Sequence, residues 1–140
     1  NISLNAAFAG VFGKSMENYD RYFIESPAFA DESNMTRRML DIWTTPGQIT
    51  EIPNDASKHD SRYIEDASFV RLKNIQLSYT MPKKWMKATG FMRGAKVYVS
   101  GRNLLTFTRY KGWDPEVDAI TAMGNYPNTK QFTVGVELQF

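Results

Sequence analysis

The residues best spaced to do chemistry lie in Asp114-Pro115-Glu116-Val117-Asp118, where three carboxylates alternate along the chain. Such a run could start a calcium loop, but a calcium site needs about six to eight oxygen ligands, and the glycine of the helix-loop-helix pattern is missing. An Asp-Pro turn is the simpler expectation. Glu65 and Asp66 form a carboxylate pair of the kind that glycosidases use, yet neighbours in an extended chain point to opposite faces. The single histidine, His59, sits among Ser, Lys and Asp and is expected to be solvated. With one His, no triad can be assigned around Ser15, Ser33 or the other hydroxyls. With no Cys, thiol nucleophiles, disulfides and Cys-based zinc sites are excluded. No catalytic, cofactor-binding or metal-binding residue is therefore assigned, and an enzyme is not expected.

The charges point in the same direction. The balance of 17 Lys+Arg against 15 Asp+Glu offers no broad cationic footprint for nucleic acid. Basic clusters occur at Lys14 with Arg37-Arg38 and at Lys83-Lys84-Lys87, and neither is interleaved with aromatics as a nucleic-acid groove would be. The first could contact anionic lipopolysaccharide or a partner; both are expected to be solvated surface.

The elements that would position these residues are strands. At the end of the sequence Phe132, Val134, Val136, Leu138 and Phe140 alternate with Gln131, Thr133, Gly135, Glu137 and Gln139. Ten residues rising about 3.3 Å each and tilted by about 45° cover about 24 Å, close to the apolar band of an outer-membrane barrel. Ile75, Leu77, Tyr79 and Met81 alternate with Asn74, Gln76, Ser78 and Thr80, and Val97, Val99, Leu105 and Phe107 share one face of the segment from Lys96 to Thr108. The opening segment alternates more weakly, with Ile2, Leu4, Phe8 and Phe12 among small residues. Four strands are expected, at roughly 2–14, 69–81, 95–109 and 130–140. No run of about 18 apolar residues is present for a transmembrane helix, which does not exclude crossing by strands.

The connections alternate long, short, long. The first, through Met16 to Ser68, is far longer than is usual in compact domains and should contain a helix within Glu32 to Trp43, with Met35, Met39 and Ile42 at helical spacing behind Ser33 or Asn34. The short one, from Pro82 to Gly90, should form one or two helical turns. Long outer loops and short periplasmic turns are the habit of bacterial outer-membrane barrels. Tyr79 and Trp85 at the lower ends, and Phe107, Tyr110 and Trp113 at the upper ends, would form interfacial girdles. One slip breaks the pattern: Phe69, Arg71 and Lys73 are in phase with Ile75 and Leu77. Either a bulge lies near Lys73-Asn74, or the segment before it stands above the membrane; we expect the second, because charge on a lipid face is cheap only near the interface.

The run Tyr63-Ile64-Glu65-Asp66-Ala67-Ser68-Phe69-Val70-Arg71-Leu72-Lys73-Asn74-Ile75-Gln76-Leu77-Ser78-Tyr79-Thr80-Met81-Pro82 resembles a late-barrel signature of the SusC/RagA family of TonB-dependent outer-membrane transporters. So do Tyr98-Val99-Ser100-Gly101-Arg102-Asn103-Leu104-Leu105-Thr106-Phe107-Thr108, Gly112-Trp113-Asp114-Pro115-Glu116-Val117, and Tyr126-Pro127 followed by Phe132-Thr133-Val134-Gly135-Val136 and Phe140. Lys130 stands near where the family commonly has Arg.

The resemblance implies an all-β fold: the last four antiparallel strands of a roughly 22-stranded transmembrane β-barrel, with a short helix in a long extracellular loop. Residues 1–140 would be the C-terminal part of that barrel, with the plug and earlier strands absent from this chain. A four-stranded sheet has two open edges that lipid cannot satisfy, so strand one would pair with the barrel's eighteenth strand and strand four with its first. The implied function is nutrient import, of oligosaccharides or peptides, across the outer membrane of a Gram-negative, Bacteroidota-type bacterium. The implied partners are the rest of the barrel and its plug, a SusD-like surface lipoprotein acting as lid, TonB through an N-terminal segment, the barrel assembly machinery and outer-membrane lipid, with no nucleic acid and no cofactor. Trp43, Tyr63 and Trp113 are the candidate substrate or lid contacts, since aromatics stack on sugars and peptide side chains. Phe140 is the candidate barrel-assembly signal. The competing readings are a soluble secreted glycan-binding β-sandwich and a non-transporting outer-membrane barrel or adhesin.

Overall fold

A computed structural model describes residues 1–54, 60–85, 90–118 and 120–140, which divide into two compact units. The first consists of residues Asn1–Val11, Phe69–Thr108 and Asn128–Phe140 and the second of Phe12–Ser68 and Arg109–Pro127. The strands in chain order are β1 (Ile2–Val11), β2 (Ser15–Asn18), β3 (Ile64–Asp66), β4 (Phe69–Thr80), β5 (Gly94–Thr108), β6 (Thr121–Ala122) and β7 (Gln131–Gln139).

The first unit is one antiparallel sheet in the order β1-β4-β5-β7, so the four long strands neighbour one another in sequence order. Directly paired residues share a face, and the register brings the apolar alternations into line. Leu4 pairs with Leu77, Leu77 with Val99, and Val99 with Val134. These side chains point outward: Leu4 is 65% exposed and Val134 73%. The other face is polar, with Gln76 paired to Ser100, Ser100 to Thr133, and an ion pair of 3.6 Å between Lys96 and Glu137. There Gly135 lies beneath the ring of Tyr98, so close that a Cβ would meet ring atoms at 2.3 Å.

The phase slip is resolved by a bulge, the alternative to our expectation. Ala7 pairs with Asn74 and Phe8 with Leu72, which leaves Lys73 as an extra residue in β4. The next pair of strands carries an irregularity at the same level: Leu72 pairs with Leu105 and Asn74 with Arg102, so β5 has one residue more than β4 across this step. Asn103, with φ of 53°, lies in this step, and Asn tolerates the left-handed region better than most residues. The slip moves Arg71 and Phe69 to the polar face. Arg71 Nε there donates to Thr106 Oγ1 at 2.9 Å and its guanidinium lies 5.7 Å from the Phe69 ring centroid.

β1 stops at Val11, short of the expected residue 14, because Gly13 turns the chain with φ of 71°. The helical turns expected between Pro82 and Gly90 fall partly on residues 86–89, outside the described ones; Trp85 N donates to Pro82 O at 3.0 Å.

The second unit has a small sheet in the order β3-β2-β6, with β2 antiparallel to β3 and parallel to β6. Met16, Ala67, Tyr110 and Ala122 form its core, with Val117 packed against them. Tyr110 is thus buried and is not a girdle residue. The helix of the long loop is α1 (Tyr19–Ile24), capped by Asn18, whose side chain accepts from Arg21 N at 3.1 Å. Its aromatics pack edge-on: Tyr22 meets Phe29 and Tyr63, each at 5.5 Å between centroids. The helix expected within Glu32 to Trp43 is reduced to a 3₁₀ turn, Arg37–Asp41. Its backbone N–H groups bond outside the segment at both ends, Thr36 N to Ile24 O at 3.0 Å and Trp43 N to Ile52 O, and polar side chains cap the last carbonyls. Gln48 Nε2 donates to Ile42 O at 3.0 Å, Thr50 Oγ1 donates to Asp41 O, and Trp43 N donates to Ile52 O at 2.9 Å, closing the segment as a loop.

Candidate functional site

Within the second unit, five charged side chains of alternating sign form a chain: Glu51, Arg38, Glu25, Arg21 and Glu65. Arg38 Nη2 lies 2.8 Å from Glu51 and its Nη1 3.3 Å from Glu25; Arg21 Nε lies 2.6 Å from Glu25 and its Nη1 2.9 Å from Glu65. Helix α1 sets the central pair, because Arg21 and Glu25 are four residues apart on or at the end of that helix and so meet on one side. Glu65 enters from β3, and its other oxygen accepts Lys111 N at 2.9 Å. Arg21 also donates to Arg62 O at 3.0 Å. Burial works against the Arg21 charge, but the bonds to Glu25 and Glu65 together outweigh it and raise its pKa.

Beside this chain opens a cleft of about 590 Å³, lined by Arg21, Ile24, Glu25, Arg38 and Glu51 and by Lys111, Gly112 and Trp113. A concave site of this size, with some apolar lining and a few fixed polar groups, is the usual form of a binding pocket. Gly112 is required here, since a Cβ would meet the Tyr110 ring at 2.4 Å.

The expected contact residues separate. Trp113 lines the cleft and is 74% exposed. Trp43 is 41% exposed, closes the loop through its backbone and is not among the residues that line the cleft. Tyr63 is only 3% exposed, so it cannot present its ring to cargo or lid; it supports the site from beneath, 5.3 Å from the Arg62 guanidinium and 6.0 Å from that of Arg21. Burial pushes its pKa up despite these cations. Arg62 in turn donates to both Asp60 carboxylate oxygens, at 2.9 and 2.7 Å, and holds that carboxyl below its ordinary range. Phe140 is exposed, and its ring stacks on Phe91 at 6.1 Å.

The other candidates also find their places. Asp114 accepts Glu116 N at 2.9 Å in an Asx turn, and Lys14 Nζ donates to the carbonyls of Pro115 at 2.9 Å and Val117 at 2.6 Å. Lys14 and Arg38 are therefore both engaged in internal bonds, and only Arg37 of the first basic cluster is simply exposed. Lys83 and Lys84 are exposed, while Lys87 and His59 lie outside the described residues. Glu65 joins the charge chain, whereas Asp66 accepts Ser68 N at 2.9 Å. Among the described residues, no three His, Cys, Asp or Glu side chains are arranged to hold a metal.

No family model matches the chain. It is 34% identical over 155 aligned residues to TonB-dependent receptor P3 of Formosa agariphila, covering 100% of this chain and 15% of that receptor. To SusC of Bacteroides thetaiotaomicron it is 37% identical over 78 residues, 56% of this chain and 8% of SusC. The solved structure of the RagAB peptide transporter superposes with a TM-score of 0.92 at 40% identity, over 99% of this chain and 16% of that one. The chain thus spans only about 15% of the length of the first of these relatives.

An antiparallel sheet with a continuous exposed apolar face from Leu4 through Leu77 and Val99 to Val134, in a chain with these relatives, is a wall segment of an outer-membrane barrel of the TonB-dependent receptor class. The chain belongs to the SusC/RagA family.

Proposed function

We propose that residues 1–140 supply the last four strands of the barrel of an outer-membrane nutrient importer driven through TonB, with the plug and the remaining strands provided by sequence outside this chain. The observation that carries this reading is the continuous apolar face running from Leu4 through Leu77 and Val99 to Val134, exposed on every strand. Such a face in water would drive aggregation; against lipid it is the stable arrangement. The open edges of β1 and β7 support pairing with further strands of the same barrel. The second unit would then lie on the extracellular side, where a SusD-like lipoprotein lid and cargo would meet it. Peptide is the favoured cargo, because the likeness to the peptide transporter covers 99% of the chain at 40% identity, against 56% for SusC. Phe140, stacked on Phe91, is proposed as the barrel-assembly signal.

The native particle tests this. Purified in detergent, it should have the mass of a complete barrel with a lipoprotein bound. A soluble monomer of about 16 kDa, stable without detergent, would overturn the reading in favour of a secreted β-sandwich. A barrel of full mass that takes up no peptide or oligosaccharide would leave the adhesin alternative.

A further inference from the structure

Arg38 is fixed on one side and exchangeable on the other. Its Nη1 lies 3.3 Å from both carboxylate oxygens of Glu25, a side chain that is 7% exposed and anchored by Arg21. Its Nη2 donates to Glu51 at 2.8 Å, and the Glu51 side chain is 88% exposed. The guanidinium is therefore already oriented by a buried partner, while the outer position is taken by a carboxylate from a surface loop. An exposed ion pair of this kind contributes little to stability and dissociates readily.

The cleft that this pair lines has room and chemistry for more than Glu51. Its volume of about 590 Å³ is within the range of small-ligand sites. Lys111 is a third cation of the lining, beside Arg38 and the Arg21 that Glu25 and Glu65 hold; Asp20 adds a carboxylate, and Ile24 and the exposed Trp113 add apolar surface on which a side chain can lie. A guanidinium matches a carboxylate through two parallel hydrogen bonds, which favours that anion over a neutral group.

We propose that this cleft is a subsite for a carboxylate-bearing oligopeptide, in which an acidic group of the peptide takes Arg38 from Glu51. Glu51 is then a built-in competitor that keeps the site filled until such a peptide arrives, and it sets how acidic a peptide must be to displace it. The peptide source rests on the importer reading given above.

The test uses the native detergent-purified particle and two fluorescent tetrapeptides, one carrying Glu at two positions and the other Gln at the same two. The acidic peptide should bind more tightly. Glu51→Gln should tighten it further by several-fold and leave the neutral peptide unchanged, whereas Arg38→Gln should lower the affinity for the acidic peptide by about tenfold. Arg38→Lys, which keeps the charge on Glu25, should restore part of the preference and guards against a folding defect. Unchanged or weakened binding of the acidic peptide by Glu51→Gln would overturn the proposal. Uptake by whole cells separates the two levels: peptide uptake without an acidic preference refutes the subsite alone, and absence of all peptide uptake refutes the importer reading.

Discussion

Lys14 reaches the carbonyl of Val117, 103 positions along the chain, with its Nζ at 2.6 Å from that oxygen. The same ammonium donates to Pro115 O, so one cation gathers the turn that carries the alternating carboxylates. A hydrogen bond involving a charged group contributes about 1.5–3 kcal/mol. Lys14→Met should therefore loosen Asp114–Asp118 and speed amide exchange there by about ten- to a hundred-fold, while Lys14→Arg should keep part of the protection. Hydrogen exchange read by mass spectrometry checks this.

Gly135 and Tyr98 form a cross-strand pair with no room between them. Gly135→Ala should lower the unfolding midpoint, with overpacking costing about 1–3 kcal/mol. The double variant with Tyr98→Ala should recover most of the loss, because the clash needs both side chains. Heat-modifiable mobility of the particle gives the midpoint.

The two faces of β7 predict opposite tolerance to charge. Val134→Arg places a guanidinium on the apolar face, and a lipid-facing arginine costs about 2–4 kcal/mol near the bilayer midplane. Thr133→Arg, on the polar face beside Ser100, should be much milder. Yield of folded barrel in the outer membrane should fall for the first and hold for the second.

Tyr110 provides a pH signature. Loss of solvation pushes its pKa up to about 12, above the ordinary tyrosine value of about 10. A group whose pKa is raised on folding stabilises fully below its unfolded pKa, and that contribution is lost as pH rises through the folded value. The core around Met16 and Ala67 should therefore weaken between about pH 10 and pH 12. Ultraviolet titration of tyrosinate should show a late component that disappears in Tyr110→Phe.

The strands were legible because a two-residue period shows in residue types alone: Val134 and Val136 against Thr133 and Gly135 need no tertiary information. The helix was misplaced for a reason of the same kind. Met35, Met39 and Ile42 have helical spacing, but Thr36 N and Trp43 N bond to Ile24 O and Ile52 O, carbonyls outside the segment, instead of to the carbonyls four residues back that an α-helix would use. In Tyr19–Ile24 the cap at Asn18 was a readable signal hidden in a run of aromatics. The cleft was less legible. Trp113 could be named as an exposed aromatic, yet Glu25, Arg38, Glu51 and Glu65 come from four separate segments, and nothing in their sequence spacing shows that they converge. Tyr63 shows the converse: residue type suggested a contact, and only packing shows it buried.

The extra residues at Lys73 in β4 and within the matching step of β5 have a further consequence for the wall they build. Each offsets the ladder on one side of that level against the other, so stagger accumulates from strand to strand. Closing a sheet into a cylinder requires such stagger, and bulges are where a strand bends and its twist increases. Lys73 and Asn103 thus mark a crease across three adjacent strands at which the curvature of the cylinder is set by an integer count of residues. Elsewhere in these strands the pairing stays regular.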